Sequence, residues 1–344
     1  MKLKILILIL AAFLVSCSNK DENKENIKDE SVKDSSEEIT KEEVVGPKIL
    51  LQYKFKKGDK FSYKLTTNSN NSETIQADTS FTNTVSQVVN YTFNFTVNNV
   101  SEFNEAEMNV VISKITAESN FNGQKINYDS KYIYSTREKV QFVDYESVKK
   151  VPFRIYVNNI GQVTKVDKIE KIMYNILSIQ NVPDTLSDAT RQKMRTNIAN
   201  GTLMPLTQQM FKVISEDEVG VNSTWQMKYS TPLAVFNVEN TALFKITNLS
   251  FDKDTIATIY STLVADISGE NTATENNVTY TFSTPKIKGS GTVKFNESKG
   301  LVEYSESSTD LEMGMMIEGY DNKNQKKQNS KKDNTTNKNT VQLL

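Results

Sequence analysis

Cys17 is the single cysteine of the chain, and it closes the run Leu14-Val15-Ser16-Cys17 behind a short apolar segment. A thiol at that place suits one covalent event. The leader is cut just before the sulfur, and acyl chains are added there. Lys2 and Lys4 supply a positive start, and Ile5 to Val15 form the apolar stretch. That stretch is about half of the roughly 20 residues a spanning helix needs. Residues 1–16 therefore read as a lipoprotein signal peptide, and Cys17 as the lipid attachment site. One acyl chain holds a membrane only marginally, whereas the two or three that such processing supplies hold it stably. The expected first partner is thus a membrane, reached through acyl chains on Cys17. The expected location is extracytoplasmic, anchored in the outer membrane.

Little other reactive chemistry is on offer. Histidine is absent, which removes the usual general base, metal ligand and pH switch together. Ser–His–Asp catalysis, Cys–His catalysis and His-based zinc sites are excluded by composition. A lone cysteine forms no disulfide within the chain, so the core alone must hold the exported body. Asp252-Lys-Asp254 starts like a calcium loop but lacks the Gly and the distant Glu that complete one, and a turn between strands explains it. Asp321-Asn-Lys-Asn324 fails likewise, with Lys332 at the twelfth position. Glu216-Asp217-Glu218 belongs to a loop beyond a helix. Gly289-Ser290-Gly291 precedes a strand and reads as a bend or bulge. Trp225, the lone tryptophan, reads as core. Of Met313, Met315 and Met316, at least one should be buried, and methionines can line apolar pockets. These observations predict no catalytic site, no cofactor and no metal.

The elements around these residues fall into three stretches. Residues 17–48 are charged and poor in large apolar side chains, so they read as a disordered tether with a span of roughly 30 Å. Within it, Lys20, Asp21 and Glu22 admit two readings. They are a signal for export to the cell surface, or one more charged stretch of linker. From Leu50 the hydrophobic period becomes two. Tyr53, Phe55, Phe61, Tyr63 and Leu65 flank a Lys57-Gly58-Asp59 turn as a hairpin would. Val89, Tyr91, Phe93, Phe95 and Val97 form the clearest strand, which Asn98-Asn99 should turn. A further hairpin turns at Asn122-Gly123. Strand patterns return over 225–229, 243–251, 255–267, 278–282, 292–295 and 301–317, and residues 341–344 suggest an added edge strand.

Between these runs the period is 3.6, near residues 164–215. Val166, Ile169, Ile172, Met173, Ile176 and Leu177 predict one helix, with Thr164 and Asp167 as its caps. A second should open near Ser187 and stop at Asn200-Gly201. A third should carry Pro205 in its first turn and present Leu206, Met210, Phe211, Val213 and Ile214. The lysine-rich stretch near 321–339 reads as a disordered polar loop. The expected architecture over 49–344 is α+β, a large curved antiparallel sheet (in one piece or as two half-sheets) with about three helices packed on one face.

Phe55-Lys-Lys-Gly-Asp-Lys-Phe-Ser-Tyr63 behind a tether, Tyr128-Asp129-Ser130, Ile160-Gly161-Gln162-Val163, and Gly289-Ser-Gly-Thr-Val293 followed by Gly300 carry a likeness. On them the chain resembles an uncharacterised family of bacterial exported β-rich lipoproteins, over about 50–344. The resemblance implies a fold and a location, and no active site.

Three functions compete. The first is a non-catalytic binding or structural role in the envelope, with an envelope protein as partner. The second is a carrier or sensor of a hydrophobic small molecule in a cup between sheet and helices. The third is a hydrolase using two carboxylates that meet in space. A net charge of −1 gives no global field for nucleic acid, so none is expected as partner.

Overall fold

A computed structural model of the chain describes residues 42–183, 185–275, 277–320 and 325–344. Cys17, Lys20, Asp21 and Glu22, with the leader and the tether up to residue 41, lie outside the described residues, whereas residues 45–48 at the tether's end belong to a strand that pairs with Val219–Val221. So do Asp321 to Asn324.

The first half runs β1 (Val45–Ile49), β2 (Lys60–Gln76), β3 (Ser80–Val100), β4 (Ala106–Phe121) and β5 (Gln124–Asp129). Two short helices follow, α1 (Thr136–Gln141) and α2 (Val143–Glu146), then β6 (Pro152–Val157) and β7 (Val163–Asp167). The helical stretch holds α3 (Glu170–Ile179), α4 (Asp188–Ile198) and α5 (Met204–Gln208). The second half runs β8 (Val219–Val221), β9 (Thr224–Leu233), β10 (Phe236–Phe251), β11 (Thr255–Ser268), β12 (Thr272–Glu275), β13 (Val278–Phe282), β14 (Lys286–Asn296), β15 (Leu301–Tyr320) and β16 (Lys326–Leu343).

Among the described residues, fourteen strands form one sheet in the order β7-β6-β4-β3-β2-β16-β15-β14-β11-β10-β9, with β5, β12 and β13 branching from it. Every ladder in it is antiparallel. The protein is mostly strand, as the two-residue period predicts. The large sheet is one piece rather than two half-sheets, with β1 and β8 paired in a separate two-stranded sheet, and the strand that joins the halves is β16. The region near 321–339 is thus corrected from loop to strand over its described part. Residues 341–343 move from the edge to the middle, between β2 and β15. The polar sequence misleads because its alternate residues sit on a wet face. Asn337, Asn339 and Val341 are buried, whereas Lys338 stays in solvent and pairs with Glu306 at 3.0 Å.

Register then fixes which side chains share the inner face, because cross-strand partners point the same way and neighbours alternate. Tyr63 pairs Phe93, and Val341 pairs both Leu65 and Ser305. Val293 pairs Ser305 and Ile259. All of these are buried. The Tyr63 hydroxyl donates to Val302 O at 2.8 Å and ties β2 to β15 across β16.

Phe211 shows that the sheet bends. Its ring lies 5.4 Å from Phe95 on β3, yet it shares a hollow with Met227 on β9. Seven strand spacings separate β3 from β9, about 34 Å if the sheet were flat at ~4.8 Å per strand. Only a sheet curled around Phe211 brings both to one side chain.

Local corrections follow from backbone chemistry. Val166 and Asp167 belong to β7 rather than to the first predicted helix, which opens at Glu170 after Lys168 turns the chain at φ 59°. Ser187 does cap α4, its hydroxyl accepting from Thr190 N. Asn200-Gly201 does not end the helix. A wide helical turn over Ala199–Leu203 carries the chain into α5, where Pro205 sits in the first turn. The chain leaves the helix at Gln208, so Met210 to Ile214 are extended or turned. Residues 98–99 stay in β3, and the turn falls at Ser101–Glu105. Residues 50–55 form no strand, so Lys57–Asp59 leads into β2 without a hairpin partner, although Leu51 and Tyr53 are buried. The Asn122-Gly123 turn stands as predicted, both residues at positive φ. Helices α1 and α2 escape the hydrophobic period because each is so short, although Ser135 and Glu138 form a reciprocal capping box.

Candidate functional site

The irregular segment after α5 is held from three sides. The Tyr53 hydroxyl donates to Lys212 O and accepts from Lys212 N, both at 2.8 Å. Gln208 accepts from Val163 N at 2.8 Å and donates to Gly161 O at 2.9 Å and Phe211 O at 2.5 Å. Gly161 is obligatory there. It sits at φ +87°, and a Cβ would lie 2.3 Å from the Tyr53 ring and 2.7 Å from Lys212 O. Phe211 itself meets the rings of Tyr53, Phe55, Phe61, Tyr63 and Phe95 at 5.4–6.4 Å. The main chain of residues 208–214 is therefore pinned on the side of β2 and β3.

On the side of the second half-chain the packing stops short. A hollow of ≈ 730 Å³, counting the part open to solvent, separates Gln208 and Phe211–Val213 from the sheet. Met227 and Tyr229 on β9, Ala242 and Phe244 on β10, and Leu263 on β11 form its apolar wall. Gly289, Gly291 and Val293 on β14 form its floor. The floor is low because two inward positions have no side chain. Gly289 pairs Leu263, and a Cβ on it would stand 3.0 Å from the Leu263 Cβ. Gly291 pairs Ser261 and would meet Glu306 O at 2.9 Å. Neither glycine bends the strand, since the β14 ladders run unbroken through both. The bend or bulge expected at Gly289–Gly291 is replaced by missing volume.

Two polar groups on the hollow lack partners. Lys212 has no ion pair among the described residues, and burial pulls its amine down from 10.5 to about 8. Tyr229 is 6% exposed, its hydroxyl is buried without a hydrogen-bond partner, and burial pushes it up to about 12. Glu306 lines the hollow by its main chain. Its side chain is on the opposite face with Lys338 and Tyr304, which hold its carboxyl below the usual range. Among the described residues, no pair of carboxylates converges on the hollow.

Lys212 sets up a stability prediction. Between about pH 8 and 10.5 the unfolded chain keeps this proton and the native state does not, so native stability rises with pH there. Below that window the buried ammonium is a full penalty. Lys212→Met should therefore stabilise the fold at pH 7 by about 1–3 kcal/mol. Urea denaturation at pH 7 and pH 10.5 should show the gain shrinking as pH rises.

The other residues singled out from sequence lie apart from the hollow or at its border. Trp225 is half-buried and packs against the main core, as expected, and it stacks on Phe244 of the hollow's wall with ring centroids 5.3 Å apart. Met313 and Met315 are half-buried and Met316 is exposed, so none of the three is buried where at least one was expected to be. Asp252 and Asp254 lie in the β10–β11 turn, and Glu216–Glu218 in an exposed loop, as expected. Among the described residues, no group of three acidic, cysteine or histidine side chains is placed to hold a metal.

The model of a family of unknown function, DUF6263, matches residues 103–302. The chain belongs to that family. The DUF6263 span includes Tyr128-Asp129-Ser130, Ile160–Val163, Gly289–Val293 and Gly300, and it leaves out Phe55–Tyr63. It also contains most of the hollow, from Gln208 to Val293. No curated protein matches the chain. Among solved structures it is similar to one described as lipid–protein interactions in lipovitellin, at 8% identity and TM-score 0.45. That match covers 85% of this chain and 25% of the other, so the chain spans about a quarter of that protein's length. It is also similar to OccK7 (OpdD) of Pseudomonas aeruginosa, at 6% identity and TM-score 0.23, over 83% of this chain and 99% of that one. OccK2 (OpdF) of the same organism matches at 7% identity and TM-score 0.20, over 83% and 98%. These likenesses are too distant to carry structure or function across.

Proposed function

We propose that this protein is a non-catalytic, lipid-anchored lipoprotein of the bacterial outer membrane that binds a hydrophobic small molecule between sheet and helices. One observation carries the reading. The hollow is built into the sheet by Gly289, Gly291 and Ala242 at inward positions, where strands of this kind normally bury large side chains. The helical stretch 170–208, with its tail at Phe211–Val213, acts as a lid packed on one face of the sheet. The tether gives the cup reach from its anchor at Cys17, and Lys20, Asp21 and Glu22 direct it to the cell surface. Absent histidine and the turning away of Glu306 support a binding rather than a catalytic role.

Filling the hollow tests the reading. The full chain carrying Cys17→Ala is titrated with an apolar fluorescent dye, alone and with Ala242→Leu or Gly289→Val added. Both substitutions should weaken dye binding at least tenfold while a cooperative thermal transition is kept. Equal affinity in all three proteins would place the ligand elsewhere or nowhere. The anchor has its own test. Cys17→Ala should move the protein from the membrane pellet to the soluble exported fraction, and unchanged partitioning would remove Cys17 as the attachment point.

A further inference from the structure

We infer that the ligand is an anionic single-chain amphiphile, its headgroup at Lys212 and Tyr229 and its chain along Met227, Phe244 and Leu263. The inference rests on the reading of the hollow as a ligand site and adds the chemical class. Both groups line the same hollow. Lys212 stands between Phe211 and Val213 with its main chain fixed by Tyr53, so its placement follows from a built contact rather than a loose loop. It has no carboxylate partner among the described residues, and the one acid bordering the hollow pairs with Lys338 on the opposite face.

Tyr229 is more than nine-tenths buried and its hydroxyl bonds to nothing. Its register partner Asn240 gives its amide N–H groups to Thr231 Oγ1 and Val238 O, and its Oδ1 is likewise buried and accepts no hydrogen bond from the phenol. A buried donor without an acceptor is costly, and so is a desolvated cation without an anion. One anionic headgroup satisfies both. The neighbouring wall is apolar, which asks for a chain rather than a second charge. Carboxylate and phosphate monoester share this chemistry, and the two are separable by experiment.

The lone tryptophan provides the readout, because Trp225 stacks on Phe244, which lines the hollow. The full chain with Cys17→Ala is loaded with a fluorescent polyene fatty acid, and energy transfer from Trp225 reports occupancy. A saturated fatty acid, an alkyl phosphate and an alcohol of equal chain length then compete for the hollow. The acid or the phosphate should displace the probe at concentrations at least tenfold lower than the alcohol, and the better of the two identifies the headgroup. Lys212→Met should shrink that gap below threefold with alcohol affinity kept, and Lys212→Arg should restore it. Tyr229→Phe should narrow it partway. Equal competition by all three, or a preference that survives Lys212→Met, overturns the headgroup assignment and leaves an apolar site standing. A probe that never binds overturns both the assignment and the function on which it rests.

Discussion

Truncating the chain after Gln325 is expected to abolish folding. The lost segment is the strand through which the two halves of the sheet touch. Lys326 to Gln342 pair with Tyr320 to Tyr304 on one side, and Ser330 to Leu343 pair with Gln76 to Tyr63 on the other. Removing it leaves both neighbours with unpaired main-chain groups and opens a gap of about 9.6 Å, two strand spacings. It also strips Val341, which is 1% exposed, from between Leu65 and Ser305. The loss exceeds the roughly 5–15 kcal/mol of net stability that a domain holds. Far-ultraviolet circular dichroism and urea titration should show no cooperative transition. The point variant Val341→Asp, which buries a charge at that spot, should cost at least about 3 kcal/mol. Lys338→Ala, on the wet face, should change stability by less than about 1 kcal/mol. A cooperative transition in the truncated chain would contradict the sheet order.

Phe211→Ala carries the next largest effect, a loss of about 3–5 kcal/mol. The ring is fully buried and meets five other aromatic rings edge-on, three from β2 and β3 and two from residues 53–55. Deleting it leaves a cavity that the pinned main chain cannot collapse, because Tyr53 and Gln208 hold residues 208–212 in place. The new cavity joins the hollow, so the variant should also bind the apolar dye less selectively. Phe211→Leu should lose clearly less stability than Phe211→Ala. Equal unfolding midpoints for Phe211→Ala and the parent protein would mean that the ring does not anchor the segment after α5 against β2 and β3.

Much of this fold was legible from alternation. Val89, Phe93, Phe95 and Val97 on β3, and Met108, Val110 and Ile112 on β4, face inward as their spacing predicts. Alternation failed on β16, where the inward residues include Asn337, Asn339 and Thr335. Those side chains are short and polar, so the apolar period vanishes even though the strand is central. Helix α3 was placed a turn early because Val166 and Ile169 continue its apolar spacing, while positive φ at Lys168 breaks the chain between them.

The hollow was less legible, for a different reason. A cavity is written in the sequence as volume that is missing, and Gly289, Gly291 and Ala242 become informative only once register sets them opposite Ser261, Leu263 and one another's neighbours. Lys212 did leave a trace. It is a lone cation inside the run Met210-Phe211-Lys212-Val213-Ile214, where a solvated helix face would have shown more than one. Tyr229 left none, since a buried tyrosine on a strand reads as ordinary core. Cys17 is the converse case, clear from local spacing and independent of the fold.

Native mass spectrometry of the full chain, released gently from membranes, is the most direct test of whether this molecule holds a ligand. The account predicts a population carrying one small hydrophobic-chain adduct that Ala242→Leu removes. A clean unliganded mass in both proteins would contradict it.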